Sequence, residues 1–239
     1  MIESSFDLFG EISNEEQQKL EERKKIFESN FNEKILRLPQ DPSKRSMTEN
    51  RMIFCHKKEA FQTPGTATKV LSASECNKIL EICKQQESWT KARHSAFATT
   101  DIPIRSNGQL DYLEPLMKSR LFDRLATHYG FKPSDLGFRD IFLVKYSAEE
   151  QRGLGLHADG CLFSITLLIS HPDDFEGGGT YFASIDQVVH LGQGDCAYHD
   201  ARVMHSGMEI TKGERYVLVG FIDTADTIEK DQNNTARRL

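Results

Sequence analysis

The sequence predicts a mainly β domain with flanking helices, an α+β chain whose strands form a sandwich or jelly-roll barrel. Two observations carry this. From Ile141 onward, apolar runs of strand length alternate with glycine- and aspartate-bearing turns: "IFLVKYS" (141–147), "LFSITLLIS" (162–170), "GGGTYFAS" after a "DDFE" turn, then "QVVHLG", "GDCAYHD", "VMHSGMEI" and "RYVLVGFID". Short strands at such spacing are the pattern of closed or sandwiched antiparallel sheets. Upstream of Ile141, two segments instead repeat their apolar residues at helical period, as helices packed on a sheet require.

In chain order, residues 13–31 read as a helix: Ser13 and Glu16 form a capping box, and helix formers follow. Its apolar residues are sparse (Leu20, Ile26, Phe27 and Phe31), so it is expected to stay solvated. "LPQDPSKRSMTENR" is polar and proline-bearing, and reads as a linker. Residues 1–65 are thus expected to be an arm and linker, 66–225 the main domain, and 226–239 a polar, frayed tail. Within the main domain, 72–86 is a helix with Ile79, Leu80, Ile82 and Cys83 on one face. A second helix, 113–130, buries Leu116, Met117, Leu121, Phe122 and Leu125 and stops near Gly130. "TTDIPI" (99–104) is extended and reads as an edge strand. Trp89 and His94 are weaker candidates for lining a groove.

Composition narrows the functional classes. The chain has 239 residues, 28% of them charged, and a net charge of -6. An acidic balance argues against a non-specific nucleic-acid binder. No window is apolar for long enough to span a bilayer. The five cysteines are odd in number and lack a CxxC pair, so neither a disulfide framework nor a zinc ribbon is expected. Cys161 and Cys196 read as core residues. The N-terminal segment lacks a basic stretch followed by an apolar one, so the cytoplasm or nucleus is the expected compartment.

The chemistry concentrates at "GLGLHADGCLF". His157 and Asp159 stand at i and i+2, and an extended chain points both to the same face. A second imidazole would complete a two-histidine, one-carboxylate set that leaves coordination positions open. His171, His190, His199 and His205 are the downstream candidates. His205 is favoured because Arg215 follows ten residues later, embedded in an apolar strand. A buried guanidinium needs an anion, and its planar fork matches a carboxylate.

These residues resemble the HxD…H…R/K signature of the 2-oxoglutarate- and Fe(II)-dependent oxygenases, and within it the prolyl and lysyl hydroxylase branch. "DDFEGGGTYF", "KYSAEEQRGLGLHAD" and "MHSGMEITKGERYVLVGFID" are each similar to segments of that branch, over roughly residues 141–223. Leu154 stands where the prolyl hydroxylases often carry tyrosine, and Arg215 where they often carry lysine; both look more like the lysyl side. The resemblance implies a double-stranded β-helix, with His157, Asp159 and His205 as Fe(II) ligands. It implies that Arg215 pairs with the far carboxylate of 2-oxoglutarate, helped by Tyr146 and, less directly, Thr180. It also implies dioxygen as co-reactant and ascorbate as reductant. The reaction would convert 2-oxoglutarate to succinate and CO2 and hydroxylate an aliphatic C–H, in a prolyl or lysyl side chain of a protein or in a small molecule. A non-catalytic jelly-roll binding module is the competing expectation, and a zinc hydrolase a further one that would not need Arg215. The glycines at 177–179 are expected to serve a tight turn without touching a ligand.

Overall fold

The computed structural model describes residues 13–87, 89–91, 93 and 97–236; His94 lies outside them. The chain forms two units, residues 1–45 and 46–239. The first is a helix, α1 (Asn14–Arg37), opened by the Ser13–Glu16 capping box and burying no residue. Its apolar side chains are too few to make a core-facing stripe.

The second unit begins earlier than the expected boundary near residue 66. Ser46 and Glu49 form another capping box, and α2 (Met47–His56) follows where a linker was expected. Its Phe54 is 1% exposed and lies among Phe61, Tyr129, Phe131 and Phe163, with ring centroids 5.2–6.1 Å away. The polar residues around 38–51 hid a segment that carries two core phenylalanines. The strands and helices that follow are β1 (Gly65–Ala67), α3 (Ala73–Gln85), β2 (Asp101–Pro103), α4 (Leu113–Tyr129) and β3 (Leu136–Ser147). Then come β4 (Leu154–His157), β5 (Phe163–Leu168), β6 (Phe175–Gly177), β7 (Thr180–Phe182), β8 (Gln187–Val189), β9 (Cys196–Asp200), β10 (His205–Gly207) and β11 (Ile210–Thr224). The chain then enters α5 (Ala225–Ala236), where a frayed tail was expected. Arg51 fixes the start of α5 by donating to Thr224 and Thr227, both at 2.7 Å, and pairing with Asp226 at 3.2 Å. Its partners are 173 or more residues away in sequence, out of reach of a local reading.

Among the described residues the strands make two antiparallel sheets. The larger runs β1-β9-β5-β11-β3-β2, with β6 joining the first part of β11; the smaller runs β4-β10-β7-β8. Together with the flanking helices this is a jelly roll. Strand parity sorts the larger sheet's two faces. Ile141 and Leu143 of β3, Ile165 and Leu167 of β5, and Leu218 and Ile222 of β11 join Ile79 of α3 and Leu121 of α4 in the main core. The alternate residues Phe142, Val144, Tyr146, Leu168 and Val217 form a second cluster inside the roll. Both faces are covered, which is why β3, β5 and β11 read as nearly continuous apolar runs. Burying a leucine or phenylalanine in this way contributes ~1.5–3 kcal/mol. α4 stops at Gly130 because its φ of 78° is left-handed, where glycine has no Cβ to clash.

Candidate active site

β4 and β10 lie side by side, with His157 directly opposite His205. The pairing brings their ring centroids to 4.3 Å. Asp159 lies two residues beyond the end of β4, and its backbone N–H donates to the Ala201 carbonyl at 2.9 Å. One donor atom from each of His157, Asp159 and His205 lies within 4.8 Å of the others, a separation suited to one metal ion. Asp159 Oδ1 is 3.4 Å from His157 Nε2, and Oδ2 is 3.6 Å from His205 Nε2.

The hydrogen bonds behind the rings set their tautomers. His157 Nδ1 meets the Gly155 carbonyl at 2.8 Å, and His205 Nδ1 meets the Val203 carbonyl at 3.0 Å. A carbonyl only accepts, so each Nδ1 carries the proton and donates. Both Nε2 lone pairs are left facing the carboxylate, the arrangement a metal-binding histidine requires. Burial pushes the His205 imidazole down to about 4, with the neighbouring His199 adding to the effect. Burial also pulls on His157, but its contact with Asp159 outweighs this and raises it. For Asp159, burial is opposed by His157 and by the charge of His205, and the carboxyl ends below its usual range. It is therefore ionised at neutral pH.

On β11, Arg215 sits opposite Tyr146 of β3, its guanidinium carbon 5.5 Å from the phenol ring centroid. Arg215 is 3% exposed. No carboxylate pairs with it among the described residues, and burial lowers its pKa. Other arginines of the chain have acidic partners: Arg93 donates to Asp101 at 2.7 Å and Asp140 at 2.8 Å, and Arg120 to Glu75 at 2.7 Å. A cavity of about 420 Å³ connects the two features. Tyr146, Thr180 and Arg215 line it together with His157, Asp159 and His205. Phe97, Phe142 and Phe221 add an aromatic wall, with Arg93 stacked 4.6 Å above the Phe142 ring.

The structure thus places all six residues singled out from the sequence around one cavity. Gly177, Gly178 and Gly179 have φ of 84°, 73° and 100°, as a tight turn demands. Gly178 also packs on the arginine: a Cβ there would lie 3.2 Å from Arg215 Cδ. Of the other histidines considered, His171 and His190 are exposed, and His199 is buried with Nδ1 donating to the Asp200 carbonyl at 2.9 Å. Its Nε2 has no hydrogen-bond partner, and burial lowers its pKa. Trp89 packs on Tyr216 at 5.7 Å and does not line the cavity.

Ser164, Arg93 and Phe97 were not found from the sequence. Phe97 stacks 4.8 Å from His157, and Ser164 donates to Asp159 Oδ2 at 2.5 Å. A signal for Ser164 did exist. Ser164 and Thr166 are polar at i and i+2 within an apolar strand, which marks one face of that strand as pocket-lining.

A jelly roll carrying two histidines and one carboxylate, with a buried arginine lining the same cavity, has the form of the 2-oxoglutarate- and iron-dependent oxygenases. Solved structures of that kind share the fold. The α-ketoglutarate-dependent non-haem epimerase SnoN from nogalamycin biosynthesis aligns at a TM-score of 0.55, covering 75% of this chain and 82% of its own, at 15% identity. A prolyl-4-hydroxylase from Pseudomonas putida aligns at 0.52, covering 72% and 97%, at 16% identity. No family model matches the sequence. In sequence the chain is similar to the multifunctional procollagen lysine hydroxylase and glycosyltransferase LH3 of Rattus norvegicus. That match is 28% identical over 169 residues, which is 64% of this chain and 22% of the relative. Procollagen-lysine,2-oxoglutarate 5-dioxygenase 2 of Homo sapiens is 26% identical over 172 residues, 64% of this chain and 23% of the relative. The match spans under a quarter of the length of these curated relatives. The chain is thus prolyl/lysyl hydroxylase-like: an oxygenase-type jelly roll in fold and a relative of the procollagen lysine hydroxylases in sequence.

Proposed function

We propose that the chain is an Fe(II)- and 2-oxoglutarate-dependent dioxygenase that hydroxylates a prolyl or lysyl side chain of a peptide or protein. The observation that carries this is the buried Arg215, which has no acidic partner among the described residues and lines the same cavity as His157, Asp159 and His205. A buried cation without a counter-ion is costly, and its persistence calls for a ligand carboxylate. The charges balance on loading. Arg215 and Asp159 cancel each other, and a dication arriving with a dicarboxylate dianion leaves the cavity neutral again.

The residues divide the work. His157 and His205 present neutral Nε2 donors and Asp159 an anionic oxygen, a set that suits Fe(II) and leaves positions open. Arg215 takes the distal carboxylate of 2-oxoglutarate through its planar fork. Tyr146 and Thr180, which line the same cavity as Arg215, would help hold that carboxylate. Val144, Val217 and Val219 keep the intervening wall apolar and exclude water. When bound, the iron supplies the oxygen chemistry that couples decarboxylation of the cosubstrate to hydroxylation of a C–H. Phe97, Phe142 and Phe221 are placed to hold the substrate. Ascorbate is the reductant we expect to sustain turnover. The five cysteines are all free thiols, which supports a reducing compartment such as the cytoplasm or nucleus. No helix among the described residues is long and apolar enough to cross a membrane.

The test is succinate release from 2-oxoglutarate by the purified chain with Fe(II), dioxygen and ascorbate. It is paired with a search of peptide libraries for a gain of one oxygen atom. The SnoN epimerase has the same fold, so the mass gain, not cosubstrate consumption alone, decides for hydroxylation. Metal-dependent binding without either product would overturn the assignment and favour a binding module.

A further inference from the structure

We propose that Ser164 is a positioning residue that decides which oxygen of Asp159 is offered to the metal. This rests on the reading of His157, Asp159 and His205 as metal ligands. Ser164 is 1% exposed, and its Oγ stands 2.5 Å from Asp159 Oδ2. Ser164 is the donor in that contact, so its hydroxyl proton engages Oδ2. Oδ1 is the oxygen nearer His157 Nε2, at 3.4 Å, and no hydroxyl donates to it among the described residues.

The hydroxyl is itself held. Cys161 Sγ lies 3.3 Å from Ser164 Oγ. With the serine proton committed to Asp159, Ser164 Oγ can only accept in that contact, and the thiol also lies 3.5 Å from the Phe163 carbonyl, so it is shared between two acceptors. A chain of contacts therefore runs from Cys161 through Ser164 to Asp159. Its base is rigid: β5 lies within the larger sheet, paired with β9 on one side and β11 on the other, and Ser164 is in register with His199 and Phe221. Asp159 itself has left the strand, and its other fixed point is the backbone bond to Ala201.

A carboxylate ligating through one oxygen leaves the remaining positions open for cosubstrate and dioxygen, whereas one ligating through both takes a further position. Ser164 favours the first state by engaging Oδ2. Partners of this kind, lying behind a ligand, typically tune metal affinity by about 10- to 100-fold.

The experiment needs no substrate. Mn(II) affinity is measured by calorimetry, and the visible bands of the Co(II) form are recorded, for the full chain and for Ser164→Ala, Ser164→Thr and Ser164→Cys. The expected result is a roughly 10- to 100-fold weaker Mn(II) affinity in Ser164→Ala, with a changed Co(II) spectrum. Ser164→Thr, which keeps the hydroxyl, should restore both. If Ser164→Ala does not fold, Ser164→Cys, nearly isosteric and a weak donor, should show the same spectral change. An unchanged Mn(II) affinity and an unchanged Co(II) spectrum in these variants would overturn the proposal, as would a loss of stability alone. His205→Ala separates the two readings. If it binds Mn(II) as the unaltered chain does, the metal-ligand reading fails; if it loses Mn(II) while Ser164→Ala keeps it, only the role of Ser164 fails.

Discussion

Arg215→Met separates a ligand anchor from a core residue, because the two roles predict opposite signs of stability change. Arg215 is 3% exposed and has no acidic partner among the described residues, and burial already lowers its pKa. In the unliganded protein its charge is a net cost. Methionine has similar length, no charge, and apolar neighbours in Ile210 and Val217. The change should therefore stabilise the unliganded chain by about 1–3 kcal/mol, within the range seen when buried ionic groups are replaced by apolar ones. At ~2–4 °C per kcal/mol for a chain of this size, Tm should rise by several degrees. Toward 2-oxoglutarate the sign reverses. Losing a buried charge-assisted pair costs ~2–5 kcal/mol. At about 1.4 kcal/mol per tenfold, that is roughly a 30- to 3,000-fold weaker affinity. The assay is a pair of thermal scans, with and without saturating 2-oxoglutarate. With Mn(II) held constant, 2-oxoglutarate at 100 times Kd adds ~2.7 kcal/mol in the unaltered chain, and at the same concentration Arg215→Met should retain no more than ~1 kcal/mol of that increment. A lower Tm in the unliganded variant, or an undiminished ligand shift, would refute the reasoning.

Three further outcomes follow from particular contacts. Gly178→Ala should cost about 1–2 kcal/mol for forcing a left-handed φ on alanine and should weaken 2-oxoglutarate binding, because the new Cβ meets Arg215 Cδ; calorimetry and thermal scans read the two effects separately. Phe54→Ala should destabilise the second unit by ~3–5 kcal/mol in urea unfolding, a loss that a linker position could not produce. Glu75, held by Arg120 and Ser72, has its carboxyl depressed to about 2, so the stability it contributes is complete above its ordinary value of 4.5 and is lost as pH falls toward 2. The pair is about a third exposed, at 34% and 32%, so solvent screens it and the effect should be at most about 1 kcal/mol. Glu75→Gln should flatten that part of the Tm–pH curve and leave neutral pH little changed.

What the sequence made legible was what depends on local period. The paired apolar faces of β3, β5 and β11 appear as uninterrupted runs, and the capping box at Ser13 marks a helix start. The spacing of His157 and Asp159 pointed to a ligand pair, but not by the expected strand geometry, since β4 ends at His157 and Asp159 is placed by its bond to Ala201; Arg215 was readable because a cation interrupts an apolar strand. What stayed hidden depends on register between distant segments. The pairing of β4 with β10, which puts His157 against His205, spans 48 residues and follows from no local pattern. The Ser46–Glu49 capping box was as plain as the one at Ser13, but the prolines before it and the sparse apolar residues inside it made the segment look like a connection. The α5 helix was hidden for the same kind of reason: Arg51, which fixes its first turn, lies far upstream.

The placement of the site follows from the parity of a single strand. Tyr216, Leu218 and Ile222 of β11 enter the main core, and the residues between them, Arg215, Val217, Val219 and Phe221, line the cavity. A one-residue slip of β11 against β3 and β5 would turn Arg215 toward the helices and carry the apolar anchors into the cavity. Such a slip is opposed by every side chain in the outer row, each contributing ~1.5–3 kcal/mol when buried. Arg215 is thus held inside by the packing of its alternate neighbours, whose burial offsets the cost of its charge. This explains how a cation with no counter-ion among the described residues persists in the fold. It also explains why the anchor stands on a central strand rather than on a loop, where it could swing out to water.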